Sequence, residues 1–286
     1  LTSIAFAVAA KAGAFNVGVE GEVFLGGITA AYIGINWTFL PKPALYVACF
    51  VGAMVVAAAW ALIPAVLRAY YNVNEVCTTI LMNTVALYIT SYLVSGPMSA
   101  GTANAQSLPV TVRLYQFMKP SSVNVGIFIA AITVIVIIFM LQKSSWGYKI
   151  RTVGLNPTHA DYVGIDSKKV FVGAMMLSGM LGGMAGCIEV LGVHGYFLNN
   201  FATGLGSNGM LAALIVKNNM VSTPFMAFFL AVLKSGAMGM QQSTGVPKSL
   251  VDTITAVFII IATMETAFQF TKKRKKKTEE KKEDKA

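Results

Sequence analysis

The sequence predicts an all-α polytopic membrane protein with about eight or nine transmembrane or half-membrane helices and one short helix in a cytoplasmic connector. Three observations carry this. Hydrophobic residues make up 56% of the 286 and charged residues only 12%, about half the charge of an average globular chain. Mean hydropathy is +0.66. The charge is also concentrated at one end: residues 272–285 hold 9 of the 22 Lys+Arg and 4 of the 12 Asp+Glu. What remains cannot cover a soluble surface, so the composition excludes an ordinary soluble enzyme and a disordered chain. Cys49, Cys77 and Cys187 are odd in number and widely spaced, which excludes a disulfide scaffold. His159 and His194 are the only histidines, too few for a histidine-built metal site. The chain begins at Leu1 without Met, and a preceding N-terminal piece is expected.

A bilayer core of about 30 Å needs roughly 20 apolar residues in a helix. Residues 1–15 contain Lys11 and form a weak first candidate. Residues 23–40, 44–67 and 76–95 are free of charge. Residues 123–141 give the cleanest span. Residues 170–193 carry only Glu189, and residues 221–241 only Lys234. Residues 201–216 are short and broken by glycine. Residues 250–270 carry Asp252 and Glu265 near their ends. Lys/Arg in short loops set orientation. With the tail inside, inner loops hold Arg68, Lys143, Lys149, Arg151, Lys168, Lys169 and Lys217, against Lys42, Arg113, Lys119 and Lys248 outside. The transmembrane body is therefore residues 1–271, with residues 142–169 and the C-terminus cytoplasmic and residues 96–122 an external loop placed to cover a pore. The tail, residues 272–286, reads as a disordered anchor attracted to anionic lipid.

Residues 142–169 have their own helix grammar. Asn156 is a good N-cap and Pro157 suits the first helical position. Asp161 is acidic and early, and Gly164 stands where a helix ends left-handed. A helix of about two turns is expected over 157–163, either a surface helix or a protrusion for another protein to grip.

The run Gly147-Tyr148-Lys149-Ile150-Arg151, Val153-Gly154, Asn156-Pro157, Ala160 and Gly164-Ile165 resembles the coupling-loop motif of bacterial ABC import permeases, in the branch of ribose, branched-chain amino acid and nucleoside permeases. Four further stretches agree in order: Phe15-Asn16-Val17-Gly18-Val19-Glu20-Gly21, Asn74-Glu75-Val76 through Asn83, Ser178-Gly179 through Gly192, and Met240-Gln241-Gln242 through Pro247. The last is similar to the nucleoside or simple-sugar subgroup. His159 stands where such permeases usually have alanine, and Lys217-Asn218-Asn219-Met220 replaces a commoner glycine turn.

The resemblance implies a translocating subunit in the bacterial cell membrane, moving a nucleoside or simple sugar inward by alternating access. It implies partners: a cytoplasmic ABC ATPase carrying ATP and Mg, a second permease expected to be a paralogue rather than a copy of this chain, and an extracellular substrate-binding lipoprotein. No cofactor is expected in this chain, which lacks a G-x-x-x-x-G-K-[ST] phosphate loop, and no catalytic role, metal or nucleic acid. Gly204 to Gly209 matches G-x-G-x-x-G without a preceding strand and is not read as a nucleotide site. The ATPase-coupling residues so implied are Gly147, Arg151, Gly154, Asn156, Pro157, His159, Ala160, Asp161 and Gly164. An ion-coupled secondary transporter is the alternative, supported by Glu189 beside a broken helix.

Inside the spans, Gly179 with Gly183 and Gly182 with Gly186 are small-xxx-small pairs, serving packing within the chain or a subunit interface. Thr79 and Asn83 share a helix face and either line a substrate path or bond between helices. The glycine-broken stretch holds Phe197, Asn200, Phe201 and Asn208, suited to stacking a base and bonding a ribose, or to an aromatic belt with an outer loop. Glu20, Glu22 and Glu189 are expected to be structurally paired or interfacial.

Overall fold

A computed structural model describes residues 1–102, 104–117 and 122–244, and the helical positions 249, 250, 253, 256 and 257. Among them the chain is helical: α1 Thr2–Lys11, α2 Val19–Asn36, α3 Lys42–Tyr71, α4 Glu75–Ser95, α5 Gly126–Lys143, α6 Ser145–Leu155, α7 Pro157–Tyr162, α8 Ser167–Ile188 continued by a π-helical turn Glu189–His194, α9 Leu205–Ile215 and α10 Ser222–Thr244. The chain forms two compact units, the first Leu1–Pro224 and the second beginning at Phe225.

Among the described residues, five helices are long and apolar enough to cross a membrane: α3, α4, α5, α8 with its π-turn, and α10. Outward residues on α4 and α5 include Tyr88, Ile132 and Ile135, each more than 60% exposed. Contiguous apolar rows of this kind mark membrane or protein contact, so these faces suit lipid or a neighbouring membrane subunit rather than water. Within the second unit, α10 presents Phe225, Phe228 and Val232 in the same way. Most of the expected span at 250–270, the Gly245-Val246-Pro247 motif and the charged tail lie outside the described residues.

Three boundaries differ from the sequence expectation. The first candidate is a ten-residue helix, α1, with Ser3 to Ala9 all buried. α2 starts at Val19 rather than near residue 23 and so includes Glu20 and Glu22. Hydropathy disfavoured those carboxylates, but both find hydrogen-bond donors, Glu22 a buried one. Gly204 N and Ser207 Oγ donate to Glu20 at 3.0 and 3.1 Å, and Asn16 Nδ2 donates to Glu22 at 2.9 Å. The expected single span over 170–193 ends as a regular helix at Ile188 and continues as the π-turn.

α8 is the hub of the first unit. Gly179 and Gly183 face α3: a Cβ at either would meet the backbone of Ala57 or Ala53. Gly182 and Gly186 face α2, against Glu22 and Val23. Two glycine stripes on one helix therefore admit two neighbours at backbone contact, the device expected where lipid removes any hydrophobic drive between helices. Both pairs are used within the chain.

The 105–117 segment straps the broken end of α8. Leu114 N donates to Leu191 O at 2.9 Å, Val110 N to Gly195 O at 2.9 Å and Ser107 N to Phe197 O at 2.8 Å. Arg113 Nη2 donates to His194 O at 3.0 Å and Gln116 Nε2 to Gly192 O at 3.1 Å. Carbonyls freed by the irregular helix are thus satisfied by protein, the condition for non-helical backbone at membrane depth. The strap also reaches α2 and α3, through Thr111 Oγ1 to Gly34 O and Tyr46 Oη to Arg113 O, both at 2.6 Å.

Candidate functional site

The segment between α5 and α8 is built of two helices. Ser144 caps α6, accepting from Gly147 N at 3.0 Å. A Cβ on Gly147 would collide with the Met140 and Leu141 carbonyls, so glycine lets α6 turn tightly off α5. Arg151 Nη1 donates to Leu141 O at 2.6 Å and Gln142 O at 3.2 Å, satisfying orphan carbonyls at the end of α5. Gly154 lies against the backbone of Lys11 and Ala12. α6 is thereby fixed to α5 on one side and to the end of α1 on the other, with Ile150 and Val153 buried beneath it.

Asn156 joins the two helices. Its extended backbone ends α6, and its side chain accepts from His159 N at 3.1 Å to cap α7. Pro157 occupies the first turn. Ala160 is the one buried residue of α7. Gly164 has φ +79°, the left-handed stop. Asp161 lies in the last turn of α7, not the first, and its carboxylate accepts from Ser167 N and Ser167 Oγ, both at 3.0 Å, stapling α7 to the start of α8. Asp166 caps α8 through Lys169 N at 3.0 Å and pairs with Lys169 Nζ at 3.0 Å. The Lys169 backbone N–H first, then its ammonium, holds the Asp166 carboxyl below its ordinary range.

The outward side of this segment is apolar in places where a solvated connector has no need to be. Leu155 and Tyr162 are 88% and 86% exposed, with Tyr148 and Val163 also outward. Exposed apolar side chains of this size are suited to contact with another protein. His159 is exposed on α7. A crevice of about 370 Å³ lies under the segment, lined by Gly13, Arg68, Gly154, Pro157, Lys168 and Phe171 among others.

The pathway candidates fall into separate places. Thr79 is buried and its Oγ1 donates to Glu75 O at 2.7 Å. Asn83 bonds between helices: Nδ2 donates to Val17 O and Oδ1 accepts from Gly21 N, both at 2.8 Å. Phe197 is fully buried, with its ring edge-on to Phe201 at 5.1 Å. Phe201 also meets Phe24 at 5.7 Å and His194 at 5.8 Å. Asn200 is exposed at φ +61°. Asn208 is half-buried in the first turn of α9, its N–H donating to Gly204 O at 2.9 Å.

Three features escaped the sequence reading: α6 as a second helix, the Glu20 cap on α9, and the strap. Ser144 three residues before Gly147 was the legible signal for α6. The other two pair residues far apart in sequence and left no local signature.

Comparison with known proteins agrees with this architecture. Residues 1–263 match the family described as branched-chain amino acid transport system / permease component. The guanosine ABC transporter permease protein NupP of Bacillus subtilis is 32% identical over 97% of this chain and 81% of its own length. The glucose ABC transporter permease protein TsgB13 of Haloferax volcanii is 33% identical over 91% and 72%. The nucleoside ABC transporter permease protein NupB of Lactococcus lactis is 29% identical over 91% and 74%. No solved structure matches. With five membrane-length helices, two glycine stripes gathering α2 and α3 onto α8, and a family match across nearly all of its length, this chain is a multi-pass membrane transport subunit belonging to the branched-chain amino acid transport system permease family.

Proposed function

We propose that the chain is a translocating subunit of an ATP-driven importer for a nucleoside, with a simple sugar as the neighbouring possibility. The observation that carries the proposal is the α6–α7 surface: a rigidly seated helix pair presenting Tyr148, Leu155, Tyr162 and Val163 outward. A partner ATPase on the cytoplasmic side, supplying ATP and Mg, grips this surface. Closure of its dimer displaces α6 and α7, and the membrane helices reorient between outward and inward access. Guanosine and nucleoside permeases among the relatives support the substrate class; the glucose permease keeps the sugar in play. A paralogous second permease and an extracellular substrate-binding lipoprotein complete the assembly, with the C-terminus cytoplasmic. The coupling residues in this scheme are those that set the α6–α7 geometry, namely Gly147, Arg151, Gly154, Asn156, Asp161 and Gly164. Pro157, His159 and Ala160 belong to the gripped helix.

Uptake of labelled guanosine and adenosine in cells carrying the whole system, with ribose as competitor, tests this. Replacing the phosphate-loop lysine of the ATPase should abolish uptake, and ribose should not compete. Uptake indifferent to that lesion but lost on collapsing the ion gradient would establish the ion-coupled alternative instead.

A further inference from the structure

The α6–α7 pair touches the membrane helices at few places, and one of them leads inward. The end of α1 turns at Gly13, whose φ is +80°. A Cβ on Gly13 would sit 3.6 Å from Gly154 Cα, and one on Gly154 would run into Lys11 O. Here α6 and the chain leaving α1 meet backbone to backbone, with no flexible side chain between them to absorb a displacement.

From Gly13 the chain enters a seven-residue connector, 12–18, that is bonded to three helices. Asn16 is 1% exposed. Its Oδ1 accepts from Gly18 N at 2.9 Å, while Nδ2 donates to Glu22 Oε1 on α2 and to Ser178 Oγ on α8, both at 2.9 Å. On the other flank, Asn83 of α4 holds Val17 O and Gly21 N. Two amides therefore fix a non-helical connector to α2, α4 and α8 at once. Phe15 is locked edge-on against Phe6 at 5.0 Å. The nearby contacts are tight: a Cβ on Gly18 would lie 3.3 Å from Thr79 Cβ, and one on Gly182 would lie 2.8 Å from Glu22 Oε2.

We propose that the 12–18 connector, clamped by Asn16 and Asn83, is the relay that carries displacement of α6 to α2, α4 and α8. Asn16, Asn83 and Ser178 are positioning residues: they transmit through the connector and need not touch the transported solute. The proposal rests on the coupling role of α6–α7. Interior packing is bistable rather than continuously compliant, so a backbone-level push at Gly13 is passed on or resisted, not dissipated. A relay moves the helices it joins, and a readout of that motion tests it.

The chain provides one. Cys77 is exposed in the first turn of α4, whereas Cys49 and Cys187 are buried. The assembled transporter, with its ATPase, partner permease and binding protein in proteoliposomes, is labelled with a small maleimide when nucleotide-free and when trapped with ATP and vanadate. A Cys77→Ser complex supplies the blank. The wild type should label at rates differing about fivefold or more between the two states, the lower end of typical coupling. Asn83→Asp keeps the acceptor for Gly21 N and removes the donor to Val17 O. Asn83→Asp and Asn16→Ala should each bring the labelling ratio close to 1 and lower transport per ATP hydrolysed by about fivefold or more, with the ATPase still co-purifying. Ser178→Ala, which removes only the α8 link, should lower transport per ATP by less. State-dependent labelling that persists in both asparagine variants, or no state dependence in the wild type, would overturn the relay. Tyr162→Ala isolates the underlying reading: ATPase recruitment and uptake untouched by that change would refute the α6–α7 docking role, whatever Cys77 does.

Discussion

Replacing Gly179 by alanine adds one methyl group at the α3–α8 seam. The new Cβ would lie 2.7 Å from both Ala57 O and Ala61 Cβ. Ordinary contact between such atoms begins at about 3.5 Å, so the two helices must part by roughly 0.8 Å along that line. The obstacle on one side is a backbone carbonyl, which no rotamer change can move. Overpacking of a tight seam costs about 1–3 kcal/mol, or about 5- to 150-fold in the folded-to-unfolded ratio. Gly183→Ala should be worse, since its methyl meets Ala53 backbone and lies 2.6 Å from Ala57 Cβ. Gly173→Ala is the control on the same helix: its Cβ meets only the Trp146 ring, at 3.0 Å, and a ring edge yields. Reversible unfolding in mixed micelles, read by helix circular dichroism, should rank the losses Gly183 above Gly179 above Gly173. Equal losses at all three, or a neutral Gly179→Ala, would refute the claim that backbone contact at the glycine stripes holds α8 to α3.

Three further outcomes are expected. Asn156→Ala removes the cap on α7 and should cost about 1 kcal/mol locally; with α7 frayed, stimulated ATP hydrolysis should no longer drive uptake, as measured by the transport-to-hydrolysis ratio. Arg151→Glu should remove the donors to Leu141 O and Gln142 O and uncouple hydrolysis from transport while insertion, followed by membrane fractionation, stays intact; full transport by this variant would count against the coupling geometry. Asp166 has a depressed carboxyl in the folded chain, so its cap is complete above the unfolded carboxyl value of about 3.9 and fades as pH falls through the lower folded value. The stability gap between wild type and Asp166→Ala should therefore be flat from neutral pH down to about pH 5 and close only in more acid solution; a gap that grew on acidification would reverse the sign of this argument.

Much of the coupling segment was legible because helix grammar is local. Asn156, Pro157 and Gly164 define α7 within a single stretch, and the structure ends the helix one residue before the expected Val163. The glycine pairs of α8 were legible as close-packing positions, but not their partners. Arg151, Asp161 and Asn83 were visible as polar residues in a motif. That the first caps α5, the second staples α8 and the third ties α4 to the connector before α2 depended on distant chain. Glu20 and Glu22 misled in a useful way: hydropathy placed the start of α2 after them, while hydrogen-bond donors from distant chain and from Asn16 hold it before them.

The sequence alone determined the class: an apolar, charge-poor chain of helices with the motifs of an import permease, because hydrophobic length and capping are properties of neighbouring residues. Tertiary structure alone decided which faces meet. The strap over the π-turn, the seat of Gly154 on Lys11 and the amide clamps on residues 12–18 pair groups separated by tens of residues or more. In a membrane interior each freed backbone group must find a partner, and which partner it finds is a property of how the helices pack.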